Sequence, residues 1–243
     1  LPSTSTNYVV TATTLAGCTA TASAQVNVTQ GPTVNVTATP PSACVGSDIQ
    51  LEAVAITSGY SMNINCSTGF IDISTTGTSI GSVGDDTEHY ISIPAFTFNG
   101  VSYTEAAVGM NGVIVLGATS GDITLTNATL PTTSVAAGNV FLAPYWDDLD
   151  INLGATVVYQ TVGNIFIIQW TNTDHNLFTT GGITFQVQMN LVTGVVTFVY
   201  PDAEFGSSTY DFGLTATIGI QMSGTNAVQY SSNTASLANG QCI

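Results

Sequence analysis

Apolar and polar positions alternate with a period of two along most of this chain. Residues 7–14 (NYVVTATT), 20–29 (ATASAQVNVT) and 33–39 (TVNVTAT) interleave small or β-branched residues with Thr and Asn, and in 48–56 (DIQLEAVAI) Ile49, Leu51 and Ala53 share one face. Side chains on a strand point to opposite faces in turn, so these runs predict half-buried strands. Bulkier runs of the same kind follow at 90–98, 101–108, 112–117, 156–161, 164–171, 182–191, 194–200 and 213–222. Turn dipeptides separate several of them: Asn99-Gly100, Gly163-Asn164 and Thr193-Gly194. No stretch carries a 3.6-residue period, and the helix formers Glu, Lys, Arg and Leu are scarce. The expected fold is all-β: an antiparallel β-sandwich, Ig-like or jelly-roll-like, preceded by an N-terminal Ig-like strand arm.

Side-chain size marks a boundary. Residues 1–56 contain one aromatic, Tyr8, whereas aromatics are frequent after Tyr60. A thick core can close over 57–243, the expected sandwich domain. About four thin strands over 1–56 fall short of an independent core, so this stretch is expected to be an arm or partial domain.

Composition then narrows the function. The 243 residues include no Lys or Arg, against 15 Asp and Glu, for a formal charge of −15. An average chain of this length would carry about 30 basic residues. Without them there is no charge-based clamp for nucleic acid or anionic lipid, no site for a Lys- or Arg-specific protease, and no Lys–Asn crosslink. These features predict a protein built to survive outside the cell, secreted or on the surface. Only 6% of residues are charged and 44% are hydrophobic, so hydroxyls and amides solvate the surface and material for a core is ample. No apolar run approaches the ~18–20 residues that span a bilayer. The chain opens on Leu1-Pro2, and any leader is expected to have been removed or omitted.

The four cysteines are Cys18, Cys44, Cys66 and Cys242, without C-x-x-C spacing and with neither His adjacent. That disfavours zinc and favours two disulfides, with three pairings open.

Two resemblances add to this. The stretch NYVVTATTLAGCTATASAQVNVTQGPTVNVTATPPSACVGSDIQLEA resembles the junction between Ig-like or PKD-like repeats of large secreted Bacteroidetes proteins. Its Y-x-V-T-A-T…G-C-T-A-T-A-S part is similar to the last hairpin of one repeat, and P-S-A-C-V-G-S-x-I-x-L to the opening strands of the next. The resemblance implies the pairing Cys18–Cys44 and with it Cys66–Cys242, in a permuted order. The remainder resembles a nidogen-like extracellular β-sandwich: FTFNGVSYTEAAVGMNGVIVLG (96–117), NVFLAPYWDDLD, VVYQTVGNIFIIQWTN and ITFQVQMNLVTGVVTFVY follow that family's order of motifs. It implies extracellular structure or adhesion and supplies no catalytic residues.

A permuted junction implies a hairpin whose apolar side is uncovered, a template for strand addition. Either the arm folds back through Cys18–Cys44, or it completes a neighbour's sheet in a head-to-tail contact that does not close. A third reading is that the stretch is an excerpt of a larger multidomain protein. The expected function is a subunit of a surface filament or fibrous layer, a homopolymer with Tyr8, Val10, Val26, Val28, Val34 and Val36 at the assembly interface. The alternative is a monomeric adhesin module, calcium-dependent and binding a glycan or host surface. Neither involves nucleic acid or membrane insertion.

Candidate chemistry is sparse, and no enzyme is expected. Gly77-Thr78-Ser79-Ile80-Gly81 matches G-x-S-x-G, but turn material flanks it in place of the strand and helix a nucleophile elbow needs. His89 and His175, the two possible bases, sit beside acids as solvated turn residues do. For cofactors the expectation is none, or calcium. The candidate site is Asp147, Asp148, Asp150 and Asn152, whose alternating oxygens can wrap Ca²⁺, the competing reading being solvated turn carboxylates. Asp85, Asp86 and Glu88 form a second cluster. Trp146, Trp170 and Tyr145 are either a sugar-stacking platform or core. Asn27, Asn35, Asn65 and Asn127 lie in N-x-S/T sequons.

Overall fold

A computed structural model describes residues 6–15, 17, 19–26, 33–39, 50–56, 60–64, 66–81, 84–151 and 154–243. The chain divides into two compact units, Leu1–Gly59 and Tyr60–Ile243. In the first, β1 (Thr6–Thr13) and β2 (Thr19–Val26) pair as an antiparallel hairpin, Thr6 opposite Val26 and Thr13 opposite Thr19. A second antiparallel pair joins β3 (Thr33–Thr39) and β4 (Gln50–Ile56). Val9 and Val10 are 63% and 68% exposed. Because adjacent residues of a strand face opposite ways, the hairpin is bare on both sides there. Tyr8, Val10 and Val26 occupy register positions of one face of this hairpin, and Val34 and Val36 lie on β3. Val28, Cys18 and Cys44 fall outside the described residues.

The second unit is a β-sandwich. One antiparallel sheet runs in the order β17 (Gln241–Cys242), β14 (Val196–Asp202), β13 (Phe178–Asn190), β12 (Ile165–His175), β11 (Thr156–Val162), β5 (Thr78–Ser79), and β10 (Leu149–Asp150) also pairs with β12. The other runs β16 (Asn226–Ser232), β15 (Thr217–Ser223), β9 (Phe141–Trp146), β8 (Val113–Leu116), β7 (Val101–Gly109), β6 (Glu88–Phe98). Asn99 and Gly100 join β6 to β7 with φ of 50° and 77°, the positive pair that a tight hairpin turn of right-handed twist requires.

Between the sheets, Phe166, Ile168, Trp170, Phe185 and Val187 of one meet Val108, Ile114, Leu142 and Tyr145 of the other. Tyr145 stacks on Phe185 at 5.6 Å, and Tyr200 donates its hydroxyl across the gap to the Pro144 carbonyl at 2.6 Å. Each such large buried side chain contributes about 1.5–3 kcal/mol. Tyr145, Trp146 and Trp170 are fully buried, so the aromatic trio is core and offers no sugar-stacking platform.

Both outer faces are also covered, by long connections clamped with glutamines. Residues 66–77 form a strap across the first sheet. Ile73 packs there on Val158 and Ile167, Gln186 gives both ends of its carboxamide to the Ile71 backbone (3.1 and 3.0 Å), and Gln169 accepts the Ile73 N–H at 3.0 Å. Residues 117–140 cover the second sheet, with Ile123, Leu130 and Val135 over Val115, Phe141 and Trp146. Gln221 bonds both the N–H and the C=O of Thr132, at 2.7 and 2.8 Å.

The structure departs from the periodicity reading in places. Gly194 and Val195 belong to a turn, because Asn190 accepts the Val192 and Thr193 N–H groups at 3.0 Å and ends the strand. Gly213 closes a 3₁₀ turn at Asp211–Gly213, and residues 214–216 link that turn to β15. Strands β9 and β16 were not legible from the alternation.

Candidate functional site

The chemistry-bearing side chains gather where β9 hands over to β10. The chain bends at Asp147 and Asp148 and then pairs with the end of β12, Leu149 opposite His175 and Asp150 opposite Asp174. Asn176 N–H donating to the Asp148 carbonyl at 3.0 Å extends this ladder by one rung. Asp148 and Asp150 thus alternate with Leu149 on one strand, and Asp174 and Asn176 with His175 on the other. Leu149 and His175 are buried in the sandwich.

Asp147 is committed to the interior. Its Oδ1 accepts the Asp148 N–H at 3.0 Å, its Oδ2 accepts the Thr215 hydroxyl at 2.6 Å, and His175 Nε2 lies 3.7 Å from Oδ1. His175 Nδ1 accepts the Leu177 N–H at 3.0 Å, which puts the ring proton on Nε2, facing Asp147. The imidazole stacks on Tyr210 at 3.9 Å. This arrangement locks a turn around the buried Asp147 carboxylate.

The other carboxylates are less well supplied. Asp148 Oδ2 accepts from Asn176 Nδ2 at 3.0 Å, but its Oδ1 is buried without a donor, as is Asp85 Oδ1. Asn111 holds the 84–87 loop against β10: its Nδ2 donates to Asp86 Oδ1 and its Oδ1 accepts the Leu149 N–H, both at 2.9 Å. Burial raises the Asp85 carboxyl above the usual carboxylate range, helped by the charges of Asp150, Asp86 and Asp148. Asp174 is raised likewise, first by burial and then by Asp150. Glu88 lies apart, accepting the Ile123 N–H at 2.8 Å. Asn152 is outside the described residues. Among the described residues, no three His, Cys, Asp or Glu side chains already stand close enough to hold one ion.

Ser79, the centre of the G-x-S-x-G match, sits exposed in the edge strand β5, its hydroxyl accepting the Gly81 N–H at 3.3 Å. Among the described residues no α-helix follows it, and His89 lies in β6. The Asn127 amide donates to Thr215 O, Thr217 Oγ1 and Asn233 Oδ1 at 2.7–3.1 Å, which makes this sequon a structural tie. Asn35 lies on β3, and Asn27 and Asn65 are outside the described residues. Cys66 and Cys242 form a disulfide that ties the strap to β17.

A cavity of about 390 Å³ opens beside β14, lined by Met62, Val196, Phe198, Ile220, Val228 and Tyr230 among others. Its Tyr230 hydroxyl already donates to Ser236 O at 2.7 Å and accepts from Gln241 Nε2 at 3.0 Å, so it presents little unspent polarity to a ligand.

Asp174, Asn111 and the glutamine clamps escaped the sequence reading. The two segments that pair, WDDLD and TDHN, each show alternating polar oxygens, but nothing in one sequence states that they are neighbours. A family model described as NIDO related matches residues 59–241. No curated protein and no solved structure matches the chain.

Proposed function

The chain belongs to the NIDO-related family through residues 59–241, a nidogen-like extracellular domain, and on that premise we propose that it is a structural protein of a surface filament or fibrous layer, assembled by strand complementation between copies. The observation that carries this reading is the bare β1–β2 hairpin. A two-stranded hairpin is marginal by itself in water, and here Val9, Val10 and Leu15 are all exposed. Such a hairpin gains stability by adding a strand or covering a face, and a second copy supplies both. Low charge density limits repulsion between stacked subunits of like sign.

Electron microscopy and sedimentation of the full chain test the proposal. Regular filaments are expected, and Val9→Asp with Val10→Asp should dissolve them, since both side chains are solvent-facing and their replacement leaves the sandwich intact. A dispersed monomer that binds glycans would instead support the adhesin alternative and overturn assembly.

A further inference from the structure

The cavity of about 390 Å³ lies between the two sheets at the β16 border of the sandwich. Val196 and Phe198 of β14 wall it on one side, and Ile220 of β15 and Val228 of β16 on the other. Strand β16 ends its sheet, so its outer row of N–H and C=O groups carries no further strand among the described residues. It is seven residues long, without proline or a charged side chain. The other sheet borders are poorer templates for an added strand. Strands β5 and β17 have two residues each, and β6 carries Pro94 at a register shift between Ser92 and Phe96. Charge narrows the choice further. Every fixed charge of this chain is acidic, so close contact between copies favours surfaces free of Asp and Glu. Among the described residues lining the cavity there is neither. The β1–β2 hairpin, Thr6–Val26, contains none either, and it leaves Val9, Val10 and Leu15 bare.

We propose that this cavity and the β16 edge together receive the β1–β2 hairpin of a second copy of the chain. The proposal rests on the assembly reading above and names its receiving surface. One hairpin strand adds along β16 through backbone hydrogen bonds, and its bare aliphatic side chains enter the cavity. Strands β1 and β2 have eight residues each, enough to match the seven of β16 along its length. The cavity volume falls in the ~300–1,000 Å³ range of preformed pockets. Its polar Tyr230 hydroxyl is already engaged, which suits an apolar occupant. Hairpin and cavity are different patches of one chain, so the contact is heterologous and each copy can both give and receive.

The test mixes two variants of the full chain and follows them by sedimentation and negative-stain microscopy. Val9→Asp with Val10→Asp spoils the hairpin and leaves the cavity; Val228→Asp puts a like charge into the cavity and leaves the hairpin. Each variant alone is expected to stay monomeric. Mixed in equal amounts, they should give a discrete heterodimer that cannot grow, because one competent hairpin meets one competent cavity. Met62→Asp, at the 38%-exposed mouth of the cavity, repeats the receiving arm of the test without altering a packed strand, should Val228→Asp fail to fold. A parent chain that stays monomeric overturns the assembly reading and this site with it. Filaments from the parent and equally from the cavity variants leave assembly standing and overturn this receiving surface. So does a mixture that remains monomeric while the parent polymerises.

Discussion

Gln186 shows how a single side chain can act as a piece of strand. Its carboxamide presents one acceptor and one donor to Ile71, the same pair a neighbouring backbone would offer. Gln186→Leu keeps the volume but orphans the Ile71 N–H and C=O. A loss of about 2–4 kcal/mol is expected in urea unfolding, and a change under about 0.5 would show that the strap does not depend on the clamp. Gly112 is constrained in a different way. Its φ is +72°, and a Cβ there would collide with the Tyr145 carbonyl at the bend leading to Asp147. Gly112→Ala is expected to cost more than about 3 kcal/mol, read from the same unfolding curve.

Among elements, the strap and its disulfide act together. Replacing both Cys66 and Cys242 by Ala should lower stability by about 2–5 kcal/mol and expose the Ile71 and Ile73 amides to hydrogen exchange. Unchanged protection would mean that the glutamines hold the strap alone. The strands flanking Asn99-Gly100 and Gly163-Asn164 were legible in the sequence because explicit turn chemistry splits the apolar runs there. Strand β9 was not, for a physical reason: Leu142 and Tyr145 face the inner core while Phe141, Ala143 and Trp146 face the covering loop. With both faces buried there is no alternation to read. Pro144 further disguises it, sitting where β9 leaves β8 and shifts register on β15. Strand β16 is a half-buried edge with few bulky residues. The Asp148 and Asp150 half of the acidic ladder was visible as alternating oxygens. Its Asp174 half depended on a pairing that only the fold creates.

At the scale of the molecule, a charge of −15 with no fixed cation sets how stability responds to solution conditions. Added NaCl should raise the melting midpoint at neutral pH by screening self-repulsion, and a flat response would argue that the acids are already neutralised. The pH dependence has two windows. Asp85 and Asp174 are raised in the fold, so they bind protons more tightly folded than unfolded. Stability therefore falls as pH climbs from the ordinary carboxylate range through their raised values. Asp72 is lowered, chiefly by the Ser74 N–H and then by Gln169, so its contribution is lost as pH drops below that range. Thermal melts across pH should show stability highest in the ordinary carboxylate range and falling toward neutrality, and a maximum at or above neutrality would contradict the raised carboxyls of Asp85 and Asp174.

The link between Cys66 and Cys242 also decides what the sandwich does under tension. It spans 176 residues and lies near both ends of the second unit. A pull applied between the segments entering and leaving that unit runs through two sulfur atoms and bypasses every strand between them. Oxidised, the unit behaves as an inextensible bead; reduced, it can pay out roughly 600 Å of chain at ~3.5 Å per residue. Single-molecule stretching with and without reductant should show that added length appear only after the sulfurs part, making the redox state of the surroundings the switch between a rigid tether and a yielding one.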